Sequence, residues 1–203
     1  MQASGKAGGS ARARTIGAVH ITDAVLEPLR TRYGEPGLLE WRGEVSEPEF
    51  HLAAGRLGST RRHDVTLFIL AGERLALIRK PSYPPGIWRT PGGGVDEGED
   101  VVAGAAREAL EETGLEIELE RYLVATQAVF TYAEESLEWR THVFSARALG
   151  ETLAPRDTRE IERARWGTKA ELAGPIRERL LETRRALWRY RVELHEAALA
   201  ALR

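Results

Sequence analysis

The 203 residues are 42% hydrophobic and 30% charged, which is enough apolar material for a sizeable core and excludes a wholly disordered chain. Acidic and basic residues nearly cancel, 31 against 29, so bulk positive charge is unavailable for nucleic acid and no stable nucleic-acid complex is expected. Cysteine is absent, which excludes disulfides, thiolate zinc sites and a cysteine nucleophile, and no run approaches the roughly 18–20 apolar residues of a membrane span.

A cytoplasmic chain without membrane contact is the resulting expectation. Asn is missing, Gln occurs only as Gln2 and Gln127, Met only as Met1, and Arg outnumbers Lys 26 to 3. Depletion of thermolabile side chains fits a thermophile. A GC-rich genome explains the same bias, and composition does not choose between them.

In chain order, residues 1–14 are Gly, Ala, Ser and Arg without periodicity and predict a mobile tail. Residues 15–60 form an N-terminal extension. Within it Thr22–Tyr33 predicts a short helix capped by Thr22 or Asp23, with Pro28 an awkward interior residue, and residues 34–37 (GEPG) predict a turn. Residues 38–60 carry no clear pattern.

The main body is expected over residues 61–170. Asp64–Leu70 and Leu75–Lys80, on either side of a Gly-containing turn, predict a hairpin, and Ile87–Thr90 a short strand. Asp100–Thr113 predicts a helix that starts on acidic residues and stops at Gly114. Residues 115–132 and 137–148 predict two strands separated by 133–136 (AEES), and Ile161–Trp166 a further short one. Residues 171–203 predict one long helix packed on the domain, with Ile176, Leu180, Leu187, Tyr190 and Leu194 on one face. Interleaved strands and helices place the fold in the α/β or α+β class.

The chemistry concentrates in Gly93–Leu115, GGVDEGEDVVAGAAREALEETGL. Glu108, Glu111 and Glu112 stand at i, i+3 and i+4, so a helix places three carboxylates on one face near its negative end. Both local terms oppose that arrangement, and a divalent cation reverses both. At least one of these carboxyls should therefore titrate above the usual range. The loop Pro91-Gly92-Gly93-Gly94 lets backbone groups approach a metal or phosphate without side-chain clash. Mg²⁺ suits such a place, because it accepts few carboxylates and takes other ligands from water and phosphate.

The same segment resembles the signature of the Nudix hydrolase family: Gly93, then Glu99, then Arg107-Glu108-Ala109-Leu110-Glu111-Glu112-Thr113-Gly114-Leu115. Every defined position is filled, with Ala109 the one lenient match. The residues before it, GIWRTPGG, resemble the strand that leads into the signature. The resemblance implies an α/β/α sandwich around a mixed sheet. It also implies a pyrophosphohydrolase acting on a small nucleoside diphosphate derivative. It assigns Glu108, Glu111, Glu112 and the Gly92 carbonyl to Mg²⁺, or Mn²⁺ in its place, with Arg107 orienting the cluster and Glu99 pairing to Arg107. A carboxylate would deprotonate the attacking water, Glu108 as first choice and Glu160 as second.

For substrate, Arg79 and Lys80 end a strand near the expected site and are candidates for phosphate contact, and Trp88 for base stacking. Tyr83 is a loop anchor and His142 a strand residue. Tyr132, seventeen residues beyond Leu115, resembles the tyrosine of dinucleoside polyphosphate hydrolases. A pyrophosphatase of modified nucleoside triphosphates and a nucleotide-sensing module without turnover are the other readings. Residues 15–58 or the last helix offer a surface for a homodimer. P-loop and dinucleotide-binding motifs are absent.

Overall fold

In the computed structural model the described residues are 14–15, 21–55 and 63–203. The tail expected at 1–14 lies outside them apart from Arg14, as does Arg61, the expected start of the main body. A mixed sheet has the order β2-β5-β6-β3-β4-β7, with β1 (Arg14–Thr15) paired to the start of β6.

The hydrophobic strand β3 (His63–Ala71) is buried on both faces over most of its length, as its nearly continuous apolar run requires. It turns through Gly72, at φ +60°, into β4 (Arg74–Arg79), and the two pair antiparallel as the sequence predicts. β5 (Ile117–Tyr132) and β6 (Glu135–Ala148) make a long hairpin whose turn narrows to Ala133-Glu134. β6 runs parallel to β3, and β7 (Arg163–Thr168) closes the other edge beside β4. Ile87–Thr90 contributes a single bridge, Arg89 to Ile78, rather than a strand.

Helices α1 (Asp23–Tyr33) and α3 (Val101–Thr113) cover one face of the sheet, over Val65, Leu67, Ile69 and Phe144. α3 begins where the Asp100 side chain accepts from the Val102 and Ala103 N–H groups. It ends at Gly114 in the left-handed region, φ +76°, where a Cβ would collide with the Ala154 backbone. α1 keeps Pro28 in its interior.

The unpatterned stretch 38–60 yields two elements. β2 (Gly37–Glu44) pairs parallel with β5, and α2 (Glu47–Gly55) follows it. Gly37 therefore belongs to a strand and not to the turn. β2 buries only Trp41 fully, so its sequence has no two-residue apolar period to read.

The expected single C-terminal helix is broken. α4 (Lys169–Glu171), a π-helical turn (Leu172–Ile176) and α5 (Arg177–Glu182) run together, and the ladder widens around Pro175, which has no N–H. The chain then stops at Thr183, whose Oγ1 bonds the Leu180 carbonyl at 2.6 Å, and Arg184 turns into the left-handed region at φ +56°. α6 (Ala186–Ala201) starts afresh. α2 and α6 cover the second face of the sheet around Trp41, Phe50, Phe130, Tyr190 and Leu194. All the sheet-facing residues predicted for the C-terminal helix are buried or half-buried, so its apolar stripe is real although the helix is interrupted.

Candidate active site

The loop Pro91–Gly94 runs beside β3, with Leu67 N–H donating to the Pro91 carbonyl and Val65 N–H to that of Gly93. Gly92 sits at φ +137°, and a Cβ there would collide with the Val65 carbonyl. A Cβ on Gly93 would strike the Glu108 carboxylate. Glycine is thus required twice, and it lets the loop lie directly on the carboxylate face of α3.

Arg107 organises that face. Its Nε and Nη2 each lie 2.8 Å from one oxygen of Glu99, a paired fork contact, and Nη2 also donates to the Gly94 carbonyl at 2.9 Å. Nη1 donates to Glu108 at 2.8 Å and to Glu111 at 3.1 Å. One guanidinium therefore gathers three glutamates and the loop. Glu99 also accepts from the Asp96 N–H, which holds the loop entrance.

Glu112 points the other way and is buried. One oxygen accepts from the Gly92 N–H at 2.7 Å, and the other from Arg89 Nη2 at 3.0 Å, with Lys80 Nζ at 3.3 Å. Arg89 is itself buried and bonds the Tyr83 hydroxyl and the Thr90 carbonyl. The sequence treats Arg89 as an ordinary strand residue. Only its charge inside an apolar run hints at a buried partner, and nothing in the spacing names Glu112.

Glu108 is the perturbed acid. Burial lifts its pKa, Arg107 opposes, and the charges of Glu112 and Glu111 add to the rise, to about 7. The expected elevation within the cluster therefore falls on this carboxyl. Among the described residues no three carboxylate or imidazole groups converge into a closed metal cage. The oxygens are spread by Arg107 and Arg89 along the mouth of a cavity of about 1090 Å³.

The cavity brings together Gly92, Arg107, Glu108, Glu111, Glu112 and Glu160. Glu160 stands on its rim, exposed and paired to Lys80 at 2.6 Å. Glu99 lies just behind, acting on Arg107. Three expected substrate residues are elsewhere. Arg79 is 3.0 Å from Glu162 and bonds the Tyr83 carbonyl, Trp88 lies under the Arg165 guanidinium at 4.7 Å, and Tyr132 packs on Phe50 and His51. None of these three lines the cavity. Tyr83 anchors its loop as expected, with its ring edge-on to Trp188 at 4.9 Å. His142 is a strand residue bonded to Tyr122 and His63.

The far half of the cavity was not legible in the sequence. Asp64, Trp139, Tyr190 and Arg191 come from β3, β6 and α6 and share no spacing. Thr141 Oγ1 links Asp64 at 2.5 Å with the Tyr190 hydroxyl at 2.7 Å, and Trp139 Nε1 donates to Asp64 at 3.0 Å.

A family model described as NUDIX domain matches residues 60–187. The chain is 32% identical over 131 residues to the NAD-capped RNA hydrolase NudC of Stutzerimonas stutzeri (strain A1501), covering 64% of this chain and 43% of that protein. It is 37% identical over 148 residues to Nudix hydrolase 10 of Arabidopsis thaliana, covering 72% of this chain and 50% of that one. It is also 32% identical over 109 residues to the oxidized purine nucleoside triphosphate hydrolase of Mus musculus, covering 53% and 67%. The chain thus spans half or less of the first two relatives. Among solved structures, a NUDIX hydrolase from Nitrosomonas europaea aligns with a TM-score of 0.43 at 25% identity, over 55% of this chain and 59% of that one. The family match covers more than half of the chain and takes in the glycine loop, α3 and all four glutamates around Arg107 and Arg89, and the chain belongs to the Nudix family.

Proposed function

We propose that the chain is a pyrophosphohydrolase that uses Mg²⁺, with Mn²⁺ as a substitute, to cleave the diphosphate linkage of a small nucleoside diphosphate derivative. The observation that carries this reading is the Arg107 fan, which holds Glu99, Glu108, Glu111 and the Gly94 carbonyl at the mouth of a cavity large enough for a nucleotide. The hydrolase names of the relatives support it.

The residues fit a hard cation. The donors are all oxygen, and Glu108 and Glu111 diverge from one Arg107 nitrogen, so their carboxylates are neighbours at the cavity. Two carboxylates, a loop carbonyl and substrate phosphate are what Mg²⁺ accepts. Glu108, Glu111 and the Gly92 carbonyl would hold it, with Glu112 acting through a water on its remaining lone pairs. When bound, the cation supplies neutralisation of the diphosphate and a lowered pKa for the attacking water.

The chain's own groups do the rest. Lys80, one of the two residues expected to contact phosphate, and Arg159 line the same mouth and receive phosphate oxygens. Glu108 accepts the proton of the attacking water. Glu160, on the rim, is the second candidate acceptor. Arg107 and Glu99 hold the geometry without touching substrate.

Tyr132 lies off the cavity, which removes the residue on which a dinucleoside polyphosphate preference rested. The name of the mouse relative favours modified nucleoside triphosphates as the second substrate class. The complete glutamate set disfavours a sensing module without turnover. The test is a panel of ADP-ribose, a dinucleoside tetraphosphate and an oxidised purine nucleoside triphosphate, with Mg²⁺ or with EDTA, products identified by mass. Cleavage inside the polyphosphate, lost in EDTA and rising with pH as the attacking water becomes easier to ionise, is the expected result. No turnover of any member overturns the proposal.

A further inference from the structure

The far half of the cavity is chemically unlike its mouth. Leu52, Phe130, Trp139 and Leu187 give it apolar walls, and Trp139 gives its one N–H to Asp64. Arg191 borders this half from the second turn of α6, with its side chain 14% exposed. Its Nη1 donates to Thr66 Oγ1 at 2.8 Å, and Nη2 stands 4.0 Å from Asp64 Oδ2, beyond hydrogen-bond distance. Nε and Nη2 donate no hydrogen bond to a described residue. A guanidinium carries five N–H donors, and Nε and Nη2 are not among the side-chain atoms sealed from water, so their donors remain available to a ligand. Burial, and after it the charge of nearby Arg89, pulls the Arg191 pKa below the ordinary arginine value. Arg191 therefore lines the cavity with two of its three nitrogens bonded to no described residue.

The missing acceptor is not a second anion. Asp64 lies beside the guanidinium, and its carboxylate would repel one. What fits is a neutral oxygen or ring nitrogen on a flat group that the apolar walls can bury.

We propose that Arg191 is a substrate-specificity residue, donating from Nε and Nη2 to a carbonyl oxygen or ring nitrogen of the nucleobase. This rests on the site taking nucleoside diphosphate derivatives. Phosphate contacts at Lys80 then place the linkage, and Arg191 selects the ring at the other end.

Calorimetric titration of wild type, Arg191→Lys and Arg191→Met with Mg²⁺ and ADP, GDP or base-free ribose 5-diphosphate tests it. Wild type should bind one or both nucleoside diphosphates at least tenfold more tightly than ribose 5-diphosphate. Arg191→Met should lose about tenfold or more on the preferred nucleotide, the value of one charged hydrogen bond, while ribose 5-diphosphate changes less than twofold. Arg191→Lys, which keeps the charge against Asp64 and so protects the fold, should lie between. Equal losses on all three ligands would place Arg191 at the diphosphate and overturn the inference, as would unchanged affinity in both variants. Ring-selective loss without Mg²⁺-dependent hydrolysis would sink the hydrolase reading alone. Hydrolysis with an indifferent Arg191 would sink this one alone.

Discussion

Glu111 keeps nearly half of its side-chain surface and its carboxylate pairs with Arg107, whereas Glu112, the next residue, is buried against Arg89, Lys80 and the Gly92 N–H. Both charges repel Glu108, Glu112 the more strongly, but only Glu112 is compensated by buried cations. Glu111→Gln should lower turnover at least tenfold and leave urea stability unchanged within ~0.5 kcal/mol, as expected for a solvent-screened pair. Glu112→Ala should also lower turnover, and in addition cost about 3 kcal/mol, because it strands the buried Arg89 charge. Urea titrations of the two variants beside steady-state kinetics would separate them, and equal stability losses would show that the Arg89 pairing is not what holds Glu112. Arg107 makes a related point about residue choice. Its contacts use all three nitrogens in one plane, so Arg107→Lys keeps the charge yet should lose most of the activity.

At the scale of elements, α2 and α6 are joined by a carboxylate. Glu49, buried on α2, accepts from the Leu187 N–H at 3.0 Å and from the Ser46 hydroxyl at 2.8 Å, so it caps the start of α6 from another helix. Burial alone would raise its pKa, but the hydrogen bonds from Leu187 and Ser46 overcome that and hold it below the ordinary value. A carboxyl with a lowered folded pKa stabilises above its unfolded value, and that contribution is lost as pH falls through the folded value. Glu49→Gln should therefore cost about 1 kcal/mol at pH 7, and the difference from wild type should close below roughly pH 4. Stability curves for both proteins from pH 7 to pH 3 check this, and a gap that persists at pH 3 would contradict it. The cap also explains one limit of sequence reading. An apolar stripe runs through the whole C-terminus, and the restart at Ala186 is capped by Glu49, far away in the chain. By contrast α3 carries its own start and stop in Asp100 and Gly114, and the β3–β4 and β5–β6 hairpins carry their turns, so all were legible.

For the whole molecule, the mouth of the site was legible because Glu99 to Glu112 is a local run on one loop and one helix. The far half was not, since Arg191 and Thr66 meet across 125 residues. Any ligand that joins the two halves binds only the folded chain. Mg²⁺ at a hundredfold its dissociation constant should raise stability by about 2.7 kcal/mol, and the gain should grow when a nucleoside diphosphate is present. Thermal melts in EDTA, in Mg²⁺ and in Mg²⁺ with ADP measure it. Identical midpoints in all three would count against a cation at α3.

The strand order also bears on synthesis. β2 and β3 are made early, but their parallel neighbours β5 and β6 come only after α3, with Gly37 facing Val124 and His63 facing Arg140. A nascent chain that has emerged only as far as α3 holds two strands whose parallel partners do not yet exist, and such long-range pairings are slow to form. The buried strand β3 thus waits through roughly sixty codons for its parallel partner β6, about 3–12 s at ordinary elongation rates. Ribosome-bound chains halted before residue 132 should be cleaved readily by protease, and those halted with residue 148 free of the exit tunnel should resist. The length of that exposure is then one control on how much of the protein reaches the native state without assistance.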